Sequence, residues 1–391
     1  MPTTNVNLFS QILGLIDRNS FTKIVNNHDS DRHCKGVNTW THLVSMLFCQ
    51  FAKANSVREI SNGLKSATGN LNHLGVSCSP SKSTISYQNQ QRNWQVFKDL
   101  YFELFNSLNS GLQKKRQFAR MLKRKIFIVD STVISLCLSL FDWAQYRKRK
   151  GAIKLHTVLD YDTCLPVYMH MTDGLKHDVA IAKTLNIPSG SVLVMDRAYV
   201  DFNWLNVLDS RRITFVSRLK KNIQYSVVKE NEIKDKTGLI VKDQIIVLTG
   251  VKTAINYPKE LRIVVVYDPV KKAELTFLTN NTSWTAETIS QLYKARWEIE
   301  TFFKQIKQVL KIKTFIGTSP NAILIQVWSA LITILLLKYL QNKAKYAWHL
   351  SNLVGLIRVN LFAKIDLWYW LNHPFIKMKP PDSQQLSIFI T

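Results

Sequence analysis

The sequence predicts a mixed α+β protein in which an all-helical N-terminal domain precedes a domain built on a β-sheet. In residues 5–65, apolar side chains recur at three- and four-residue steps, most clearly from Trp40 to Phe51, which is typical of α-helices. From residue 126 onward, short β-branched runs such as IFIVDSTVISL alternate with helical segments. At roughly 100–200 residues per domain, a chain of 391 residues has room for two or three domains.

Changes in composition along the chain suggest the domain boundaries. The segment QKKRQFARMLKRK is strongly basic and precedes the first clear strand, so we interpret it as a linker. The predicted organisation is a helical domain (1–112), the basic linker (113–125), a sheet domain (126–342) with a β-rich insertion at about 218–282, and a helical tail (343–391).

The charge balance indicates a polyanionic partner. Lysine and arginine number 52 against 27 aspartate and glutamate residues, which gives a net charge of +25. DNA, RNA and acidic membrane surfaces are the partners that such a charge attracts. The membrane is disfavoured because the most apolar run, Val327–Leu337, ends at Lys338 and is shorter than the about 20 residues that a spanning helix needs.

Two further features suggest a cytoplasmic protein. The N-terminal residues MPTTNVNLFSQILGLIDRNS do not read as a signal peptide, since no basic start leads into an apolar block. The five cysteines are scattered without a C-x-x-C pair, so we expect reduced thiols, with neither a disulfide framework nor a zinc site.

A helix-turn-helix pattern lies at the end of the helical domain. SVREISNGL (56–64) predicts a short helix with Ser56 as its N-cap, and a glycine-containing turn separates it from a second helix over 81–108. The second helix would place Ser81, Lys82, Thr84 and Arg92 against DNA. Two helices of an ordinary bundle explain the same pattern without DNA.

The order of elements after residue 126 narrows the fold of the sheet domain. Three strands come first, followed by helix, strand, helix and strand up to residue 219. A β-rich stretch and two helices, at about 285–311 and 321–341, complete the domain. This order matches the ribonuclease-H-like topology, with a β-rich insertion.

Two aspartates end apolar runs on predicted strands. Asp130 follows IFIV and Asp196 follows VLVM. A carboxylate in such a place is costly unless it is paired or bound to a metal ion. A salt bridge or a turn cap at the strand end is the alternative explanation for either residue alone.

A third acid lies on the predicted helix over 285–311. On a helical wheel, Tyr293, Arg296, Glu300 and Lys307 fall within an arc of about 60°, with Lys304 beside it. A solvated face with ion pairs between Glu300 and its basic neighbours is the alternative. Lys154, on the second strand, faces either the site and a phosphate or solvent.

Three carboxylates on two strand ends and a facing helix can hold two divalent ions about 3.5–4 Å apart. Mg²⁺ suits such a site because it is a hard ion that prefers oxygen ligands, and Mn²⁺ is an expected substitute. The predicted ligands are Asp130, Asp196 and Glu300, with the surrounding bases neutralising a scissile phosphate.

The spacing Tyr293-x2-Arg296-x3-Glu300-x6-Lys307 is a complete Y-R-E-K signature. With it, the chain resembles the DDE transposases of bacterial insertion sequences, in particular the insertion-sequence-four-like family. FIVDSTVI and VMDRAYVD resemble the two aspartate motifs of that family, and VREISNGL and SKSTISYQNQQR resemble pieces of the helical domain found in one branch.

The resemblance implies an enzyme that moves a DNA element by cut-and-paste transposition. Such an enzyme binds the terminal inverted repeats, pairs two ends in a dimeric complex, cuts both strands and joins the 3′ ends to target DNA. Asp130, Asp196 and Glu300 correspond to its metal-binding catalytic triad, and Tyr293, Arg296 and Lys307 to contacts with phosphates near the cut.

Two other functions remain open at this stage. A DNA-binding derivative could regulate transposition without catalysis, although it would have no need of three acids in a basic site. A ribonuclease-H-like nuclease would need neither the N-terminal domain nor the long insertion.

Overall fold

The computed structural model describes residues 3–67, 69–112, 121–136, 145–147, 150–220, 222–233, 238–310 and 315–375. Most of the predicted linker and the end of the predicted tail lie outside these ranges. The chain forms two compact units, of which the first combines Met1–Leu112 with Val309–Thr391 and the second is Gln113–Gln308.

The first unit is built from helices. They are α1 (Leu8–Leu13), α2 (Arg18–Asn27), α3 (Thr39–Ala52), α4 (Val57–Ser66), α5 (Lys82–Gln91), α6 (Gln95–Leu112), α12 (Pro320–Lys343), α13 (Leu350–Val359) and α14 (Leu367–Asn372). Side-chain caps start many of them. The Ser56 hydroxyl accepts the Glu59 amide at 3.1 Å, as predicted, whereas the Glu59 carboxylate accepts the amide of Asn55 at 2.9 Å.

Helix α12 forms the centre of the first unit. It is apolar on all sides, and it packs against α3, α5 and α6. The sequence analysis assigned residues up to 342 to the sheet domain, whereas in the structure α12 packs within the helical unit. The reason is the all-round apolar surface of α12, which only a surrounding set of helices can bury.

The same helix has nearly the predicted bounds of 321–341. With 24 residues it is long and apolar enough to cross a membrane, but 89% of its most apolar window is buried inside the protein. The apolar run Val327–Leu337 thus lies within a longer apolar helix, and its burial identifies this helix as part of the core.

The second unit is a mixed sheet of ten strands with helices packed on it. The strands are β1 (Ile126–Leu136), β2 (Gln145–Arg147), β3 (Lys150–Asp160), β4 (Leu165–Asp173), β5 (Val192–Met195), β6 (Thr214–Arg218), β7 (Tyr225–Glu230), β8 (Ile240–Leu248), β9 (Leu261–Asp268) and β10 (Ala273–Thr279). The helices are α7 (Asp178–Ala182), α8 (Phe202–Ser210), α9 (Val251–Asn256), α10 (Ala286–Lys294) and α11 (Trp297–Leu310).

The pairing of the first strands fits a ribonuclease-H-like core. Strands β4, β3 and β1 are antiparallel neighbours, and β5 and β6 follow β1 in parallel. The parallel pairing of β1 with β5 aligns Val129 with Met195. The next residue on each side is an aspartate, Asp130 within β1 and Asp196 directly after β5. The helix between β5 and β6 is α8, whose Leu205 and Leu208 are buried against the sheet.

The β-rich insertion continues the same sheet. Strand β10 pairs with β6, and β9, β8 and β7 extend the order outward. An apolar core runs beneath both parts, from Leu193 and Phe215 in the first strands to Ile246 and Ile263 in the insertion. The insertion is thereby fixed rigidly to the strand that follows Asp196.

The helix predicted over 285–311 is two helices. Between α10 and α11, the Arg296 amide donates to the Tyr293 carbonyl and the Ile299 amide to the Arg296 carbonyl, which are tight i→i+3 hydrogen bonds. The continuous helical wheel of the sequence analysis is therefore interrupted at Ala295–Arg296. Tyr293 and Glu300 lie on different helices as a result.

A buried ion pair holds the insertion together and generates a stability prediction. Arg262 on β9 donates to both carboxylate oxygens of Asp243 on β8 at 2.7 and 2.6 Å, and to the Trp284 carbonyl at 2.6 Å. Both charged side chains are almost fully buried, at 4% and 5% exposure.

Arg262→Met is expected to lower the free energy of unfolding by about 3–5 kcal/mol, because it leaves an unpaired carboxylate buried. Urea unfolding followed by circular dichroism measures the effect. The matched control is Lys259→Met, which breaks the more exposed Lys259–Asp209 pair of 2.6 Å and should change stability by less than about 1 kcal/mol. Equal small changes in both variants would contradict the prediction.

Candidate active site

An open cleft of about 500 Å³ lies where β1 meets α11 in the second unit. It is lined by Asp130, Ser131, Thr132, Glu300, Phe303, Lys304 and Lys307. Two acids and two lysines therefore share one surface. Such a lining suits a ligand that carries both a cation and negatively charged oxygens.

The first acid, Asp130, lies within β1 and is anchored from two sides. Its Oδ1 accepts the Ser131 amide at 2.8 Å, and its Oδ2 accepts Arg296 Nη1 at 3.2 Å. Burial raises the pKa of Asp130 to about 6, although the Ser131 amide and the Arg296 guanidinium lower it. The negative charges of Asp196 and Asp178 raise it further, which indicates a crowded acidic site.

The second acid, Asp196, is the residue directly after β5 and precedes a short 3-10 turn, Arg197–Tyr199. Its charge raises the pKa of Asp130 and that of Tyr293. The proximity of Asp196 to Asp130 follows from the parallel pairing of β1 and β5, because neighbouring parallel strands end at the same edge of a sheet.

The third acid, Glu300, lies in the first turns of α11. Its Oε1 accepts Arg296 Nη2 at 2.5 Å, and its side chain is 37% exposed. One guanidinium therefore bridges Glu300 and Asp130. The alternative of a solvated Arg296–Glu300 surface pair does not hold, since the Arg296 side chain is only 14% exposed and also contacts Asp130.

Tyr293 is packed rather than presented to a ligand. Its ring stacks on Phe277 of β10 with centroids 4.6 Å apart, and it is 8% exposed. Burial raises its pKa to about 12, with Arg296 acting in the opposite direction. Trp297, the first residue of α11, is 55% exposed beside Arg296.

Of the other side chains that the sequence analysis placed against DNA, four are exposed. Lys304 and Lys307 are exposed at the cleft, and Ser81 and Lys82 are exposed at the start of α5, with Thr84 half-buried. Ser81 is also the N-cap of α5, its hydroxyl accepting the Thr84 amide.

The structure contradicts the prediction that Arg92 contacts DNA. Its side chain is 3% exposed, and its guanidinium donates to the Val37 carbonyl and Gln88 and pairs with Asp31 at 3.5 Å. It is therefore a buried structural arginine and is not available to a phosphate.

The structure also contradicts the prediction that Lys154 faces a phosphate or solvent. Its ammonium donates to Asp178 at 2.9 Å and to the Lys176 carbonyl at 3.2 Å, and the side chain is 14% exposed. It faces neither solvent nor a free phosphate site. The sequence analysis missed Asp178 because an acid opening a short helix is normally a cap, and the lysine that binds it lies on a distant strand.

The oxygen donors of Asp130 and Glu300 fit a divalent cation of the Mg²⁺ type. The guanidinium held between the two carboxylates shows that their charges require a cation. Among the described residues, however, no three acidic, histidine or cysteine side chains converge into a ready metal-binding group. The three-carboxylate arrangement predicted from the sequence is thus not formed here, because Arg296 takes the place between two of the acids.

Comparisons with known proteins identify the family of this chain. Residues 121–336 match the Transposase DDE domain family, and residues 4–77 match a domain of unknown function, DUF4372. A putative transposase of Sinorhizobium fredii is 31% identical over 74% of this chain and 80% of its own length. A probable transposase for insertion sequence element IS5377 of Geobacillus stearothermophilus is 29% identical over 67% of this chain and 68% of its own length.

Among solved structures, the chain is similar to a piggyBac transposase synaptic complex with hairpin DNA. The TM-score is 0.47 at 11% identity, covering 92% of this chain and 81% of that one. The match to more than half of the chain and the 31% identical relative confirm the resemblance that the Y-R-E-K signature indicated. The chain belongs to the DDE transposases, the family of DNA-cleaving and strand-transferring enzymes of bacterial insertion sequences.

Proposed function

We propose that this protein catalyses cut-and-paste transposition of its own insertion sequence. It binds the terminal inverted repeats, cleaves the DNA at the element ends and transfers the 3′ ends to target DNA. The observation that carries this proposal is the cleft in which Asp130 and Glu300 share one guanidinium beside Lys304 and Lys307. Acids and bases on one open surface suit a phosphodiester better than a neutral ligand.

In this proposal Asp130, Asp196 and Glu300 hold two Mg²⁺ ions, for which Mn²⁺ substitutes. When bound, these ions supply an activated water or 3′-hydroxyl and neutralise the leaving oxygen. The protein's part is to hold the carboxylates on rigid elements. Asp130 lies within β1, Asp196 directly follows β5, which pairs with β1, and Glu300 is tied to β1 through Arg296.

The bases next to the acids hold the DNA backbone. Lys304 and Lys307 are exposed on α11 at one and two turns beyond Glu300. A DNA strand whose scissile phosphate lies at Glu300 therefore has its neighbouring phosphates within reach of these two lysines. Arg296 changes partners in this proposal, from the two carboxylates to a phosphate, while Tyr293 supports Arg296 from its packed position against Phe277.

The first unit recognises the element ends through α5. The inner face of α5 is fixed by Ile85 and by Asn89, whose side chain accepts the His42 imidazole at 2.8 Å. Its exposed residues are Lys82, Ser83, Tyr87, Gln90 and Gln91, which carry hydrogen-bonding groups and no acid. Such a face suits the major groove of duplex DNA.

Two element ends are brought together by two copies of the chain, so the working form is a homodimer on DNA. The enzyme acts in the cytoplasm on the host nucleoid. The net charge of +25 supports retention on DNA between reaction steps.

Asp130→Asn, Asp196→Asn and Glu300→Gln are each expected to reduce cleavage to background while end-DNA binding persists, because phosphate contacts do not depend on the carboxylates. Cleavage of a labelled terminal-repeat duplex in Mg²⁺ and a mobility shift measure the two properties. Glu298→Gln is the matched control on the same helix, where the carboxylate faces Cys164 at 3.5 Å. Cleavage at the wild-type rate by any of the three variants would exclude that residue from the catalytic set.

Lys307→Ala is expected to weaken end-DNA affinity and slow cleavage by roughly tenfold to a hundredfold, since a charge-assisted phosphate contact contributes about 1.5–3 kcal/mol. Lys294→Ala, at an exposed lysine outside the cleft lining, is the control. A solvated lysine would change affinity by less than about 1 kcal/mol. Equal behaviour of the two variants would remove Lys307 from the DNA path.

Gln90→Ala in the full chain is expected to cost about 1–3 kcal/mol of end-DNA affinity and to relax preference at one base pair, because glutamine reads adenine edges. Lys82→Ala should weaken all duplexes equally and lower the salt dependence of binding by about one ion. Lys23→Ala, an exposed lysine on α2, is the control. Mobility shifts with end and scrambled duplexes at two salt concentrations distinguish these outcomes, and unchanged preference in Gln90→Ala would argue against α5 as the reading helix.

A further inference from the structure

A small cavity of about 10 Å³ lies between β1, β3 and α7 in the second unit. Val129 of β1 lines it, and because successive strand residues point to opposite faces, Asp130 points away from it. Most of the wall is apolar, but three polar side chains also line it: His156, Asp178 and Tyr199. The volume is that of one water molecule.

Each of the three polar side chains has one buried atom to which the rest of the described chain offers no hydrogen bond. These atoms are His156 Nδ1, Asp178 Oδ1 and the Tyr199 hydroxyl, and all three are closed to solvent. Buried polar atoms are nearly always hydrogen-bonded in native proteins, because an unpaired one has lost its water without compensation. Three such atoms around one cavity therefore indicate a shared ligand.

The hydrogen bonds on the far side of the His156 ring determine what Nδ1 can do. The ring's Nε2 lies 2.9 Å from the Thr172 hydroxyl on β4, and that hydroxyl donates its only proton to the Asp173 carbonyl at 2.9 Å. The hydroxyl must therefore accept from Nε2, which carries the ring proton. In the neutral imidazole, Nδ1 is then an acceptor that faces the cavity.

Asp178 contributes a second acceptor and Tyr199 a donor. Burial raises the pKa of Asp178, but His156 and Lys154 lower it below its ordinary value, so the group is a carboxylate. Lys154 donates to Oδ2 at 2.9 Å, which leaves Oδ1 for the cavity. Burial and the negative charges of Asp178 and Asp130 raise the pKa of Tyr199, so it remains a phenol with a proton to donate.

A direct bond between His156 and Asp178 does not explain the arrangement. His156 Nδ1 lies 3.4 Å from Asp178 Oδ1, whereas hydrogen bonds between charged nitrogen donors and carboxylates are about 2.7–2.9 Å long. With a neutral ring the two facing atoms are both acceptors, so neither can donate to the other. A ligand between them must therefore supply the protons.

We propose that this cavity is a binding site for one internal water molecule. The water donates one proton to His156 Nδ1 and the other to Asp178 Oδ1, and its oxygen accepts the Tyr199 hydroxyl. Two donors and one acceptor are what the cavity asks for, and three hydrogen bonds are typical of a buried water. An ammonium ion offers no acceptor to Tyr199, and a metal cation would compete with Lys154 for the same carboxylate.

The water joins three segments that are distant in the chain. His156 lies on β3, Asp178 begins α7, and Tyr199 ends the 3-10 turn that directly follows Asp196. The water thereby fastens that turn to the sheet from the side away from the cleft. This site belongs to the fold and does not depend on the proposed function.

A crystal structure of the full chain at a resolution that shows ordered water is the first test. We expect one water within about 2.5–3.2 Å of His156 Nδ1, Asp178 Oδ1 and the Tyr199 hydroxyl. Side chains that have closed the cavity by bonding one another directly, or a dry cavity, would overturn the proposal.

Thermal unfolding of Tyr199→Phe in the full chain is the second test, because the sign of its effect depends on the water. If the hydroxyl is bonded to a water, its loss should lower the Tm by about 2–4 °C. If the cavity is dry, removing an unpaired hydroxyl should leave the Tm unchanged or raise it. Tyr225→Phe, at an exposed tyrosine on β7, is the matched control and should not change the Tm. A Tm for Tyr199→Phe at or above that of wild type would overturn the proposal.

Discussion

The second unit depends on one interaction, the guanidinium of Arg296 held between Asp130 and Glu300. It attaches α11 to β1 and neutralises two carboxylates that burial would otherwise make costly. Arg296 lies in the break between α10 and α11, four residues before Glu300.

The sheet supplies the rigidity that this bridge requires. Strands β1 and β5 carry two of the acids, and the insertion extends the sheet from β6 through β10. Strand β10 in turn supplies Phe277, on which Tyr293 stacks one turn before Arg296. The insertion therefore packs directly against α10, the helix that precedes Arg296. A change at the buried Arg262–Asp243 pair would be transmitted to the start of α10 through the Trp284 carbonyl.

The first unit is organised around a buried helix rather than around a sheet. Its core is α12, which is apolar all round and can be buried only inside a set of helices. Helix α5 packs on this core, with Ile85 and Asn89 buried on its inner face. Arg92, the residue that follows α5, belongs to this internal framework and is bound to Asp31 and the Val37 carbonyl, whereas Lys82, Gln90 and Gln91 of α5 are exposed.

The sequence by itself determined the family, the basic charge and most of the strands along the chain, because these depend on local periodicity and on a signature of fixed spacing. The three acids as one catalytic site stay a prediction. The strand bounds of β1 and β6 follow from their β-branched runs within a residue or so. Only the tertiary structure decided which charged groups meet. Arg92 and Lys154 look like free bases in a sequence, but their partners come from residues 61 and 24 positions away, Asp31 and Asp178. It also decided that α12 joins the N-terminal helices and that the long acidic helix is divided at Arg296, since both outcomes depend on burial and ion pairing between segments that are distant in the chain.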